Sequence, residues 1–231
     1  MSTIYIDIET LPTKRQDIRN EIASNIKAPG NYKSESAIKG WFTENFENEC
    51  DKKLRETALN GTFGELFSIA WAIDDADPHV LSTADFTEKE LLQAFYQQIS
   101  NLSDKYGNRA EISKWVGHYI TGFDLRFIWQ RSVINGVMPL VNIPYDAKPW
   151  DSKVFDTKIA WTGLSSHSGG GSLDAICKAL GIEGKGEITG ANVYDYWLAG
   201  KFAEIEEYNK KDVVLVREVY KRMTFLNYEH I

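Results

Sequence analysis

The chain of 231 residues is poor in cysteine and histidine, with 2 of the first and 4 of the second. Cys50 and Cys177 are too few for a disulfide framework and do not have the spacing of a metal site. No apolar run approaches the ~18 residues that a membrane span needs, and no signal-peptide pattern opens the chain. We therefore expect a cytoplasmic protein that keeps its thiols reduced and does not enter a membrane.

Positive charge is also scarce, since 26 Lys and Arg face 33 Asp and Glu and give a net charge of −7. A protein that coats duplex nucleic acid would be basic, so this class is disfavoured. An enzyme that holds one strand end remains compatible, because bound metal ions supply local positive charge. With 43% hydrophobic residues, residues 1–231 are sufficient for a single domain with its own core.

The apolar patterns predict an α/β order of elements. Strands are expected near residues 3–8, 66–73, 79–83 and 112–117, and helices near residues 88–99, 124–135, 172–181, 192–199 and 203–223. Residues 12–64 separate the first two strands and contain a helical run from Ser34 to Leu59. This helical insertion either forms a wall of a substrate cleft or is an excursion that packs on the sheet.

Asp7 and Glu9 lie in an alternating segment, where residues i and i+2 face the same side of a strand. Two carboxylates about 7 Å apart along a strand repel each other unless a cation sits between them. Hard oxygen ligands of this kind suit Mg²⁺ or Mn²⁺. The alternative is an edge strand with a solvated acidic face.

Asp124 begins a predicted helix, just after a strand and a turn that contains glycine. Its position at the carboxyl end of a strand is where open α/β sheets place their sites. An Asp in a first helical turn is also a common cap or dipole partner, and that interpretation stays open. Asp156 is interpreted as a cap or loop residue rather than a metal ligand.

Tyr208 and Asp212 are four residues apart and share one face of the last predicted helix. The same face continues with Leu215 and Val219, which are expected to be buried. An Asp on an apolar helix face is costly to bury unless a metal ion or a proton compensates it. The alternative is a partly exposed Asp on a helix that also carries lysines.

Three segments together resemble a known family: Asp7-x-Glu9-Thr10, then Phe123-Asp124 after Gly117, then Tyr208-x-x-x-Asp212. In this order they resemble the three exonuclease motifs of the DEDD superfamily of 3′-5′ exonucleases. The chain is similar to the proofreading domain of family B DNA polymerases and to stand-alone exonucleases related to it. Tyr208 matches the tyrosine subgroup, because Glu207 stands where the other subgroup has His.

The resemblance implies an RNase H-like mixed sheet flanked by helices and a hydrolysis that uses two divalent cations, Mg²⁺ or Mn²⁺. The implied metal ligands are Asp7, Glu9, Asp124 and Asp212, and the catalytic set adds Tyr208. Asp7 is expected to bridge both ions, Glu9 and Asp212 to hold the ion that activates water, and Asp124 to hold the second ion. Tyr208 is expected to orient the attacking water through its hydroxyl.

The resemblance also implies substrate contacts. Thr10 and Leu11 are expected to bind the terminal nucleotide, and Phe123 either offers a stacking face or belongs to the core. Tyr119 stands where the polymerase domains usually have an Asn that contacts the substrate nucleotide. How the terminal nucleotide is held is therefore open.

The predicted activity is removal of nucleoside 5′-monophosphates from the 3′ end of single-stranded nucleic acid, with DNA as the expected substrate. The 231 residues leave no room for a polymerase domain, so a free-standing exonuclease is expected. Two alternatives stay open: the same chemistry on RNA, and a catalytically silent RNase H-like module that binds nucleic acid or protein. The sequence indicates no protein partner.

Overall fold

The computed structural model describes residues 2–102, 111–164, 170–184 and 186–226. Five strands within these residues form one mixed sheet in the order β3-β2-β1-β4-β5. The strands are β1 (Ser2–Leu11), β2 (Glu65–Ile73), β3 (His79–Ser82), β4 (Ile112–Gly117) and β5 (Val154–Asp156). β1 pairs antiparallel with β2 and parallel with β4, so the middle of the sheet is the strand that carries Asp7 and Glu9.

Helices surround this sheet. They are α1 (Gln16–Asn25), α2 (Glu35–Glu56), α3 (Glu88–Ser100), α4 (Asp124–Asn135), α5 (Thr157–Thr162), α6 (Leu173–Ala179), α7 (Val193–Leu198) and α8 (Phe202–Met223), with a 3₁₀ turn at Thr57–Leu59. The predicted α/β class with a helical insertion between the first two strands is confirmed. The sequence did not predict α1, α5 or β5; β5 has three residues, too few to show an alternating pattern.

β1 separates two layers of the core by simple alternation. Ile4, Ile6 and Ile8 pack in the core cluster on the side of α3 and α4. Tyr5 packs on the opposite side, with Val213 and Val216 of α8. Since Asp7 and Glu9 share the second side, the long helix α8 covers the face of β1 on which both carboxylates lie. Leu215 and Val219 are buried as predicted.

Among the described residues, no helix combines the length and the apolar character that crossing a membrane requires.

Candidate active site

Three carboxylates meet at the floor of a cleft. Asp7 and Glu9 from β1 and Asp212 from α8 each offer one oxygen, and these oxygens all lie within 4.8 Å of one another. Glu9 and Asp212 are buried, while Asp7 is half-buried. Three converging carboxylate oxygens are a donor set that suits a hard divalent cation such as Mg²⁺ or Mn²⁺. The residues present therefore fit a metal ion.

Asp124 lines the same cleft but is not one of these three clustered carboxylates. Its side chain is 3% exposed at the first residue of α4. Burial raises its pKa to about 7, and the negative charge of Asp156 adds to that rise, whereas its own backbone N–H and that of Ile8 lower the pKa by donating to it. Asp124 thus differs from an ordinary surface carboxylate, and its role as a metal ligand stays a prediction.

Tyr208 lies one helical turn before Asp212 and is 7% exposed. Burial raises the pKa of its hydroxyl strongly, and the charges of Glu9, Asp212 and Asp7 raise it further. The hydroxyl donates a hydrogen bond to Asp212. At neutral pH it therefore keeps its proton, which suits a hydrogen-bond donor and not a free base.

The end of β1 brings one of the two predicted nucleotide-binding residues to the cleft. The pairing of β1 with β2 shifts register between Glu9 and Thr10, and Thr10 lines the cleft. Thr10 Oγ1 donates to the carbonyl oxygen of Ala58 at 2.8 Å, which ties the insertion to β1 beside the carboxylates.

Leu11 is a correction to the sequence-based prediction. Its side chain is fully buried and packs with Phe67, Val193 and Ile205. Val193 and Ile205 come from the first turns of α7 and α8. The structure therefore places Leu11 in the core and does not support contact between its side chain and a nucleotide.

One wall of the cleft is the loop between β4 and α4. Tyr119 lies there with 43% exposure and a left-handed φ of 63°. Its ring lies against Gly122, where an added Cβ would be 2.4 Å from the Tyr119 ring. Lys158 Nζ lies 4.1 Å from the centre of the same ring. The Tyr119 ring is therefore fixed by a glycine and by a cation–π contact.

Asp156 organises this wall as a helix cap, as the sequence indicated. Its carboxylate accepts from the backbone N–H of Tyr119 and of Thr121 at 3.1 Å each, and from Thr121 Oγ1 at 2.7 Å. It also accepts from the N–H groups of Lys158 and Ile159 at the start of α5. One buried carboxylate thus joins the Tyr119 loop to the helix that carries Lys158.

Phe123 combines the two interpretations that the sequence left open. It lines the cleft, and it also packs against the core, with its ring centre 5.3 Å from that of Phe127. The Phe123 ring is thus packed against the core, and the residue also borders the cleft.

The insertion also forms a wall of this cleft, while the interpretation of the cleft as a substrate cleft stays a prediction. Asn48, Lys52 and Arg55 of α2 line the cleft, which has a volume of about 700 Å³. Arg55 binds Asp51 at 2.6 Å and Asp195 of α7 at 2.7 Å, and its guanidinium lies 5.0 Å from the ring centre of Tyr194. Because Tyr194 also lines the cleft, Arg55 joins the insertion to α7 within one wall.

Sequence reasoning missed several residues of this site, among them Arg55 and Asn209. Arg55 gave no signal, since Asp195, its partner in α7, is 140 residues away in the chain. Asn209 had a weak signal, because it is an amide on a helix face that is otherwise apolar. Its side chain donates to Asp7 at 2.7 Å.

The comparisons with known proteins agree with this geometry. The family described as a predicted 3′-5′ exonuclease related to the exonuclease domain of PolB matches residues 63–229. The matched range contains Asp124, Tyr208 and Asp212, and the fold brings Asp7 and Glu9 of β1 to the same cleft.

A solved structure shows the same fold. The family B DNA polymerase from the hyperthermophilic archaeon Pyrobaculum calidifontis aligns with a TM-score of 0.56 and 14% identity, over 97% of this chain and 24% of that chain. The chain thus spans about a quarter of that polymerase, and the predicted fold class is confirmed. No curated protein matches the sequence. On the family match, the chain belongs to the predicted 3′-5′ exonucleases related to the exonuclease domain of PolB.

Proposed function

We propose that this protein is a metal-dependent exonuclease that hydrolyses the terminal phosphodiester bond at the 3′ end of single-stranded nucleic acid, with DNA as the substrate. The products are nucleoside 5′-monophosphates. The observation that carries the proposal is the convergence of Asp7, Glu9 and Asp212 within 4.8 Å at the floor of an open cleft. Residues 1–231 form one exonuclease domain in this proposal.

The carboxylates divide into two groups that would hold two divalent cations, Mg²⁺ or Mn²⁺. Asp7, Glu9 and Asp212 would hold the first ion, and Asp124, with Asp7 as the shared ligand, would hold the second. When bound, such ions supply positive charge to the phosphoryl oxygens and lower the pKa of water. The raised pKa of Asp124 in the metal-free protein is consistent with a carboxylate whose charge requires a cation to offset its burial.

Tyr208 acts as a hydrogen-bond donor in this proposal. Its single hydroxyl proton is donated to Asp212 in the metal-free protein. Once a cation occupies that carboxylate, the same proton would be able to turn to a water molecule beside it. A tyrosine whose pKa is raised keeps its proton, and orientation of the water is therefore its contribution. The general base is not Tyr208.

The walls select the substrate. Tyr119 and Phe123 contribute aromatic rings to the lining of the cleft, and Lys52 of α2 contributes an exposed ammonium. Rings suit the stacking of unpaired bases, and an ammonium suits a phosphate of the strand. Thr10, next to Glu9 at the cleft floor, would bind the terminal nucleotide. A cleft of about 700 Å³ lies within the range of pockets for small ligands, which suits a strand end.

The test uses the full chain with matched DNA and RNA oligonucleotides of one sequence, labelled at the 5′ end, and with a circular single strand. We expect a ladder of shortened 5′-labelled products with Mn²⁺ or Mg²⁺, no products with EDTA, and an intact circle. Asp212→Asn is the control for a contaminating nuclease, because it keeps the shape of the side chain. Cleavage of the circle, activity in EDTA or undiminished activity of Asp212→Asn would contradict the proposal.

The same experiment decides between the two sugars. Faster laddering of the DNA strand supports the proposal as stated, and faster laddering of the RNA strand would make this protein an exoribonuclease with the same site. Intact oligonucleotides with every metal would favour the silent binding module, which a shift in electrophoretic mobility of the labelled strand would detect.

A further inference from the structure

The Asp7 carboxylate accepts the last hydrogen bond of a buried chain of hydrogen bonds. Asn209 of α8 is fully buried, and its Nδ2 donates to Asp7 Oδ2 at 2.7 Å. Asn209 Oδ1 accepts from Ser68 Oγ of β2 at 2.8 Å, and Ser68 is fully buried as well. The chain of contacts therefore runs from the neighbouring strand β2, through α8, to the carboxylate on β1.

The polarity of this chain is fixed at its carboxylate end, because a carboxylate only accepts hydrogen bonds whereas a serine hydroxyl can donate or accept. The Asn209 NH₂ group must therefore face Asp7, which accepts as a carboxylate. The amide oxygen of Asn209 then faces Ser68, which has one hydroxyl proton and donates it to that oxygen.

An amide at position 209 has no evident use in packing. Asn209 shares its face of α8 with Val213 and Val216, which lie four and seven residues later and are fully buried in an apolar cluster. Burying an amide among apolar side chains costs free energy unless both of its polar atoms are hydrogen-bonded. Here both are hydrogen-bonded, one to the candidate metal ligand and the other to the residue that orients the amide.

We propose that Asn209 is a positioning residue that holds the Asp7 carboxylate in its ligand orientation, and that Ser68 fixes the direction of the Asn209 amide. The inference rests on the proposed function, because it gives Asp7 a metal to bind. Outer partners of metal ligands commonly change metal affinity or activity by about 10–100-fold when they are removed.

The test measures Mn²⁺ binding to the full chain by calorimetry, without nucleic acid. Asn209→Leu keeps a similar volume and removes both hydrogen bonds, and we expect it to weaken Mn²⁺ binding about 10–100-fold. Ser68→Ala leaves the amide in place and releases its orientation, so a several-fold weakening is expected. Because Asn209→Leu is a core substitution, Ser68→Ala keeps the test decisive if the first variant does not fold.

The matched control is Ser132→Ala. Ser132 is equally buried, and its hydroxyl lies 2.6 Å from that of Tyr96. Tyr96 belongs to the core cluster on the other side of the sheet. Loss of this buried hydroxyl should lower the melting temperature in EDTA and leave Mn²⁺ affinity unchanged.

Each outcome supports or overturns the inference. The inference is overturned if folded Asn209→Leu or Ser68→Ala binds Mn²⁺ with wild-type affinity. It is also overturned if Ser132→Ala loses as much Mn²⁺ affinity as these variants, or if the wild-type chain binds no Mn²⁺. If the wild type binds Mn²⁺ but leaves all oligonucleotides intact, the proposed exonuclease function fails, while the shift in affinity still decides the role of Asn209. If the wild type cleaves and the variants bind as it does, only the inference fails.

Discussion

The floor of the cleft and its walls are built in different ways. The floor consists of ionisable groups on regular elements, with Asp7 and Glu9 on the central strand β1 and Asp212 on the long helix α8. The walls consist of the β4–α4 loop and the insertion. A helix cap and a cation–π contact tie the loop to α5, and the ion pair and cation–π contact of Arg55 tie the insertion to α7. Under the proposed function, the rigid core would place the chemistry and surface contacts would place the substrate.

The largest effect is expected at the floor, from Asp7→Ala and Asp212→Ala. Each should lower the exonuclease rate by about 10³-fold or more, since a metal ion supplies several kcal/mol of transition-state stabilisation. Asp212→Ala should melt at or above the wild-type temperature in EDTA, because removal of one carboxylate relieves repulsion in the metal-free cluster. In Asp7→Ala the same relief is offset because the buried Asn209 amide loses its acceptor, so its melting temperature should stay close to that of the wild type. The measurements are single-turnover rates with Mn²⁺ and thermal melts in EDTA. A fall of many degrees in both melts would make the two residues structural.

Asp124 sharpens the comparison through pH, because it is a buried carboxylate of the same cleft whose charge is costly to bury. Burial raises its pKa from 3.8 to about 7, so the folded metal-free protein retains a proton that the unfolded chain releases. This proton makes its full contribution to the stability of the folded protein below pH 4, and the contribution is lost as the pH rises through 7. The cost of ionisation approaches about 4 kcal/mol, at 1.36 kcal/mol for each pKa unit.

Asp124→Asn should therefore stabilise the metal-free protein at pH 7.5 by up to this amount, and the gain should shrink towards pH 5. Denaturant unfolding in EDTA at the two pH values measures both effects. The control is Asp77→Asn, on an exposed turn between β2 and β3. It should change neither the stability of the metal-free protein nor its dependence on pH. A gain in Asp124→Asn that is independent of pH would mean that the carboxyl group is not buried in its neutral form.

Tyr208→Phe is expected to have the next largest effect, and it separates the catalytic hydroxyl from the ring that packs in the core. We expect the single-turnover rate at saturating Mn²⁺ to fall about 10²-fold, the lower end of the range for proton-transfer and water-positioning groups. Mn²⁺ affinity should hardly change, because the hydroxyl is not one of the three clustered carboxylates. An unchanged rate would remove Tyr208 from the mechanism, and a rate lost only through weaker Mn²⁺ binding would make it a support of the site.

The floor was predictable from sequence because its elements are regular. The alternation of residues 4–9 gave the side of β1 on which Asp7 lies, and the four-residue spacing of Tyr208 and Asp212 gave their shared face on α8. The walls were not predictable in the same way. The left-handed turn at Tyr119 depends on Gly122 and on a helix cap from β5, a strand of three residues. Leu11 is covered by α7 and α8, nearly two hundred residues later in the chain.

The smallest effect is expected at the wall, from Arg55→Ala. Exposed ion pairs contribute about 0–1 kcal/mol, and the Arg55 side chain is 33% exposed. We therefore expect little change in the melting temperature. The variant should raise KM for a single-stranded oligonucleotide by about fivefold, which corresponds to about 1 kcal/mol. The reason is that a loosened wall weakens the binding of the substrate and of the transition state by the same amount. The turnover number should stay near that of the wild type.

Arg222→Ala is the matched control for this substitution. It removes the same charge from the last turn of α8, so it reports the effect of net charge alone on the attraction of a polyanion. If both variants raise KM equally, Arg55 acts through net charge and the wall has no separate role. If Arg55→Ala instead lowers turnover at unchanged KM, the wall and the floor are coupled, and the division between a floor for chemistry and walls for binding is wrong.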